Sequence, residues 1–197
     1  QPAELDGPLV VRQGLAHGAL ALLLVCSLLY LHAAETAGSK GTAIYLAAAW
    51  AFLCGLALSH IVHEWGHFLG AVASRSRLTI KPRVHPLFFD FDYLANRPPQ
   101  FLALSLGGLL GNLALMLVLL ATGDHSLVLT SLLAAVIGQF VYVLVLELPV
   151  SLGVMAGRDP LEVLGTHFGK GRPLFLRATL AGITAAVLVF LLYRPSL

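Results

Sequence analysis

Five apolar runs, separated by shorter polar stretches, lie at residues 14–31, 43–73, 101–120, 127–148 and 174–193. Each is about 18 residues or longer, enough for a helix to cross a hydrocarbon core of roughly 30 Å. The second is the longest: as one helix it extends about 46 Å, so it tilts or emerges at one face. Residues 1–13, with Pro2, Asp6, Gly7 and Pro8, read as an irregular lead-in without the marks of a cleaved signal peptide. The largest polar stretch is 74–100. Within it, 77–81 and 87–93 favour short strands around a turn bounded by Pro82 and Pro86. The second strand alternates, with Phe89, Phe91 and Tyr93 on one side and Asp90 and Asp92 on the other. Its edge is suited to receiving an extended peptide. After the fourth run, Pro149, Gly153, Gly157 and Pro160 predict an unwound stretch over 149–161. The expected fold is an all-α polytopic membrane protein of about five transmembrane helices, with a short membrane-associated β-hairpin between the second and third.

Composition agrees. Of 197 residues, 58% are hydrophobic and 11% charged, against roughly 25% charged in soluble domains. Mean hydropathy is +0.86. One bundle over residues 1–197 is expected, without a separate soluble domain and without a nucleic-acid partner. Cys26 and Cys54 fall in apolar runs and read as small buried hydrophobes. Of the twelve Lys and Arg, all but Lys40 and Arg194 fall on the side of the chain that holds residues 74–100. The excess of basic residues places the amino terminus and that large loop in the cytoplasm.

Chemistry concentrates in the second run, at His63-Glu64-Trp65-Gly66-His67. On a helix the two histidines share one face, about 6 Å apart at Cβ, a spacing that holds one metal ion. Neutral imidazoles suit zinc, and Glu64 is placed to take a proton from a water that the ion activates. Ionisable groups are costly within an apolar span, so such a trio is functional by default. Trp65 points elsewhere, and Gly66 leaves room for another backbone. His60, one turn earlier, fits a supporting or packing role.

A catalytic zinc site takes a third protein ligand and keeps one open position. Asp159 is the expected third ligand, because it follows the fourth run on the same side as the histidines. Glu162 and His167 are the alternatives nearby; Asp124 and His125 lie on the opposite side. Asp90 and Asp92 fit the solvated face of the hairpin better. Asn112, in the third run, needs a polar partner at depth.

With these residues the chain resembles the site-2 protease family of intramembrane zinc metalloproteases. His63-Glu64-Trp65-Gly66-His67 matches that family's HExGH segment. Gly107-Gly108-Leu109-Leu110-Gly111-Asn112 is similar to its alanine-glycine-proline-x-x-asparagine segment, with Leu109 in place of proline. Glu147-Leu148-Pro149 and Asp159-Pro160 look like a diverged form of its asparagine-x-x-proline and aspartate-glycine segment. The resemblance covers residues 43–165, the expected catalytic core. It implies one catalytic Zn2+ held by His63, His67 and Asp159, with Glu64 as general base. It implies Asn112 and Gly108 as substrate-binding positions, and hydrolysis of a peptide bond in or near the transmembrane helix of a membrane-protein substrate. A multi-pass protein of a prokaryotic cytoplasmic membrane, opening its site to the cytoplasm, is the expected setting. Two other classes compete: a metal-ion transporter, whose ligands should step across the membrane, and a non-catalytic relative that binds a membrane protein without cutting it. Nothing in the chain names the substrate or the oligomeric state.

Overall fold

Long apolar runs fold as helices because a helix satisfies its own backbone hydrogen bonds where water is scarce. The computed structural model describes residues 6–123 and 125–193. In chain order it contains α1 (Gly7–Thr36), α2 (Thr42–Ala73), β1 (Leu78–Ile80), β2 (Phe89–Phe91), α3 (Pro98–Ala121), α4 (Leu127–Met155), α5 (Pro160–Phe168) and α6 (Arg172–Leu192). All but α5 among the helices are long and apolar enough to cross a membrane. Residues 1–5 of the expected lead-in, with Pro2, lie outside the described residues, as do Asp124 and Arg194.

Two expectations about helix limits are corrected. The first helix begins at Gly7 inside the expected lead-in, because Asp6 accepts a hydrogen bond from Leu9 N–H at 3.1 Å and Pro8 fits the first turn. The stretch 149–161 is mostly helical: α4 runs through Pro149 to Met155. A proline removes one backbone donor, a cost that packed neighbours absorb in an apolar bundle. Only residues 156–159 are irregular, with Gly157 at φ +87° turning the chain into α5.

The helices pair through small residues. Gly66 and Gly70 of α2 face Gly107 and Ala103 of α3, and a Cβ at Gly66 or Gly70 would collide with the facing backbone carbonyl. Four-residue spacing of small residues on both helices makes this approach possible. Gly138 of α4 and Gly182 of α6 meet in the same manner, a Cβ at Gly138 lying 2.9 Å from the Gly182 carbonyl oxygen. Of the five long helices, α4 and α2 are the most buried and α1 the least.

The hairpin forms as expected, though shorter. β1 and β2 are antiparallel, with Leu78 opposite Phe91 and Ile80 opposite Phe89. Its apolar face packs on protein: Phe89 meets Phe68 of α2, and both Phe91 and Tyr93 meet Phe101 of α3.

Candidate metal centre

The first turns of the motif follow from helix geometry. His63 and His67 lie one turn apart on α2, and their Nε2 atoms converge to 2.9 Å. From α4, Glu147 Oε1 comes to 2.9 Å from His63 Nε2 and 3.5 Å from His67 Nε2. Among the described residues this is the one group of His, Cys, Asp or Glu arranged to hold a metal ion. The three donor atoms lie close enough together to hold one metal ion. The second carboxylate oxygen, Glu147 Oε2, is buried without a hydrogen-bond partner. An orphaned lone pair inside protein is costly, and an ion would satisfy it.

Each histidine is braced from behind. His67 Nδ1 lies 2.8 Å from the Leu104 carbonyl, an acceptor, so this nitrogen carries a proton and Nε2 is the one turned to the donor group. Gly108 gives the ring its space: a Cβ there would stand 2.6 Å from His67 Nε2. Asn112 lies behind His63, its Nδ2 at 3.4 Å from His63 Nδ1, while Ser59 Oγ donates to Asn112 Oδ1 at 3.2 Å. Both Asn112 and Ser59 are wholly buried. Gly108 and Asn112, the two positions assigned to substrate by resemblance, thus contact the histidines.

Asp159 is not brought to the histidines. It caps α5, its Oδ1 accepting from Leu161 N–H at 2.9 Å and Glu162 N–H at 3.1 Å, and it is exposed. Asp-Pro is a favoured start for a helix, and that local demand takes the carboxylate. Glu147 stands in its place. Glu162 pairs with Arg158 at 2.7 Å, and His167 is buried on α5 outside the donor group. His60 is half-buried and also outside it, and His125 stacks on Tyr193 at the other end of the bundle. A glutamate in an apolar span was the overlooked signal.

Glu64, His67 and Glu147 border one cavity of about 370 Å³. The rest of its wall includes Phe89, Asp90 and Phe91 of β2, with Tyr93, Phe101, Leu104 and Phe168. Lys81, paired with Asp90 at 3.4 Å, also borders it. Burial, and then the Glu147 carboxylate, push the Tyr93 phenol above its ordinary pKa, so it remains a neutral hydrogen-bond donor.

The hairpin is tied down from two directions. Gln13 of α1, wholly buried, donates to the carbonyls of Lys81 at 3.1 Å and Arg83 at 2.7 Å and accepts from His85 N–H at 3.3 Å. Trp65 stacks on Phe88 with ring centroids 4.6 Å apart and donates to His17 Nδ1 at 3.1 Å. The tryptophan within the metal motif therefore carries the hairpin on the side away from the donors. Gln13 lay in the expected lead-in, and its sequence surroundings offered no sign of this role.

No family model, curated protein or solved structure matches the chain.

Proposed function

We propose that this protein is a multi-pass intramembrane zinc metalloprotease that hydrolyses a peptide bond in or near the transmembrane helix of a membrane-protein substrate. The observation that carries the reading is the convergence of His63, His67 and Glu147, with His67, Glu147 and Glu64 bordering one cavity. The donor set suits zinc, the helical motif supplies a carboxylate next to two ligands, and the cavity runs beside β2. His63 Nε2, His67 Nε2 and Glu147 hold the ion in this reading. When bound, it supplies Lewis acidity to a water and to the scissile carbonyl.

The remaining steps belong to the chain. Glu64 takes a proton as the water oxygen bonds to the carbonyl carbon, then delivers it to the leaving nitrogen as the C–N bond breaks. A helical peptide bond is shielded by its own hydrogen bonds, so the substrate segment enters unwound. β2 pairs only with β1 among the described strands and borders the cavity. Its other edge is suited to hold that extended segment. The excess of basic residues toward the hairpin end supports a cytoplasmic setting for that end. A single donor group among the described residues favours a protease over a transporter, whose ligands would be spread across the span.

The test is cleavage of a reporter transmembrane substrate by purified protein in detergent. Wild type should cut. Glu64→Gln should keep its zinc and lose about 10²–10⁴-fold in rate. Zinc-loaded wild type that cuts no membrane substrate, or a Glu64→Gln variant as active as wild type, would sink the reading.

A further inference from the structure

The two histidines differ in what stands behind them. Behind His67 is the Leu104 carbonyl, which only accepts, so Nδ1–H is imposed and Nε2 is the nitrogen left to ligate. Behind His63 is a side-chain amide, which presents either a donor or an acceptor depending on how it is turned. In the structure it presents the donor: Asn112 Nδ2 faces His63 Nδ1 at 3.4 Å. Nδ1 then accepts, and the ring proton of neutral His63 lies on Nε2. That proton is well received, with Glu147 Oε1 and His67 Nε2 each 2.9 Å away. The arrangement is self-consistent, and it is the tautomer that cannot ligate through Nε2.

Ligation needs the other tautomer, with the proton on Nδ1 and an acceptor behind it. A half-turn of the Asn112 amide supplies that acceptor by exchanging Oδ1 for Nδ2. Ser59 permits the exchange. Its hydroxyl donates to Oδ1 at 3.2 Å as the amide now stands, and it can accept from Nδ2–H after the turn. The side chains of Ser59 and Asn112 are wholly buried and His63 is 4% exposed, so protein atoms rather than bulk water set these bonds.

We propose that Asn112 is a positioning residue that selects the His63 tautomer, its amide turning by half as the metal site fills. The proton lost from His63 Nε2 is balanced by the one gained at Nδ1. The proposal rests on the metal-site reading. It gives Asn112 a task distinct from substrate contact, and it explains why an amide serves where a fixed acceptor serves His67.

The test uses Co2+ binding, read from its visible absorption, in wild type, Asn112→Leu, Asn112→Asp and Ser59→Ala, all in detergent. Leucine keeps the volume and offers no acceptor; its affinity should fall about 10–100-fold, as when an outer partner of a ligating histidine is lost. Aspartate only accepts, and should bind Co2+ at least as tightly as wild type. Ser59→Ala should fall between wild type and leucine. In metal-free protein, 15N-histidine spectra should show His63 as the Nε2–H tautomer in wild type and Nδ1–H in Asn112→Asp. Equal affinity in the leucine variant and wild type overturns the proposal. So does an Asn112→Asp variant with wild-type helicity that binds as weakly as leucine, or metal-free wild type already in the Nδ1–H form. Wild type that binds no Co2+ overturns the metal site itself, an outcome distinct from wild type binding while all variants match it.

Discussion

Two sets of polar side chains, one at each end of the bundle, are used in opposite ways. At the end away from the metal centre they finish helices. Glu35 of α1 accepts from the Leu127 and Val128 N–H groups at 2.6 and 3.0 Å, and Ser126 accepts from Leu129 N–H at 3.2 Å. Thr130 donates to the Tyr193 carbonyl, just beyond α6, at 3.4 Å. These bonds satisfy backbone groups that a helix terminus leaves open. At the hairpin end, Ser59, His63, Asn112 and Glu147 lie inside helices whose backbone bonds are internal, and they face one another. One carboxylate oxygen there is left over. Polar groups that complete a terminus stabilise the fold; polar groups gathered in mid-helix around an unfilled lone pair are organised for a ligand.

The sharpest break of this contrast removes the third donor. Glu147→Ala should weaken zinc binding by more than about a hundredfold, beyond the loss typical of an outer partner. Asp159→Ala should retain wild-type affinity, its cost confined to a helix cap worth about 1 kcal/mol. Titration of purified protein with zinc measures both, and the reverse ranking would move the third ligand to Asp159.

A smaller effect is expected one layer behind the donors. Gly108→Ala puts a methyl group against the His67 ring. Overpacking of this kind costs about 1–3 kcal/mol, and metal affinity should fall with it. Thermal midpoints with and without added zinc test the pair. A variant of unchanged stability and affinity would show that the ring has room to spare.

The smallest effect belongs to the opposite end. Glu35→Ala should lower stability by about 1 kcal/mol, the usual worth of a cap, while leaving zinc affinity unchanged. A loss of zinc affinity there would mean that the two ends are coupled and the contrast is incomplete.

Legibility followed the range of the interactions. The HEWGH segment was readable because its spacing is local to one helix, and the hairpin because alternation is local to one strand. Gly66 was correctly read as a place of close backbone approach. Asp159 lies on the side of the histidines, but Asp159-Pro160-Leu161-Glu162 also has the composition of a helix start, and the cap takes the carboxylate. Pro149 points to a break, yet a proline in a packed apolar helix removes one bond without unwinding it. Glu147 carried a visible signal, a carboxylate in an apolar run. Its partner, however, depended on how α4 is rotated against α2.

By itself, the sequence determined the five apolar helices, the hairpin between the second and third, the pair of histidines on one face and the carboxylate beside them. All are consequences of periodicity and composition within a single segment. Only the tertiary structure decided that Glu147 completes the donor group, that Gly108 and Asn112 stand behind the histidines, and that Gln13 secures the hairpin. Those outcomes depend on the rotation and depth of one helix against another. Side chains from several segments share in setting these through close packing, and no one segment encodes them.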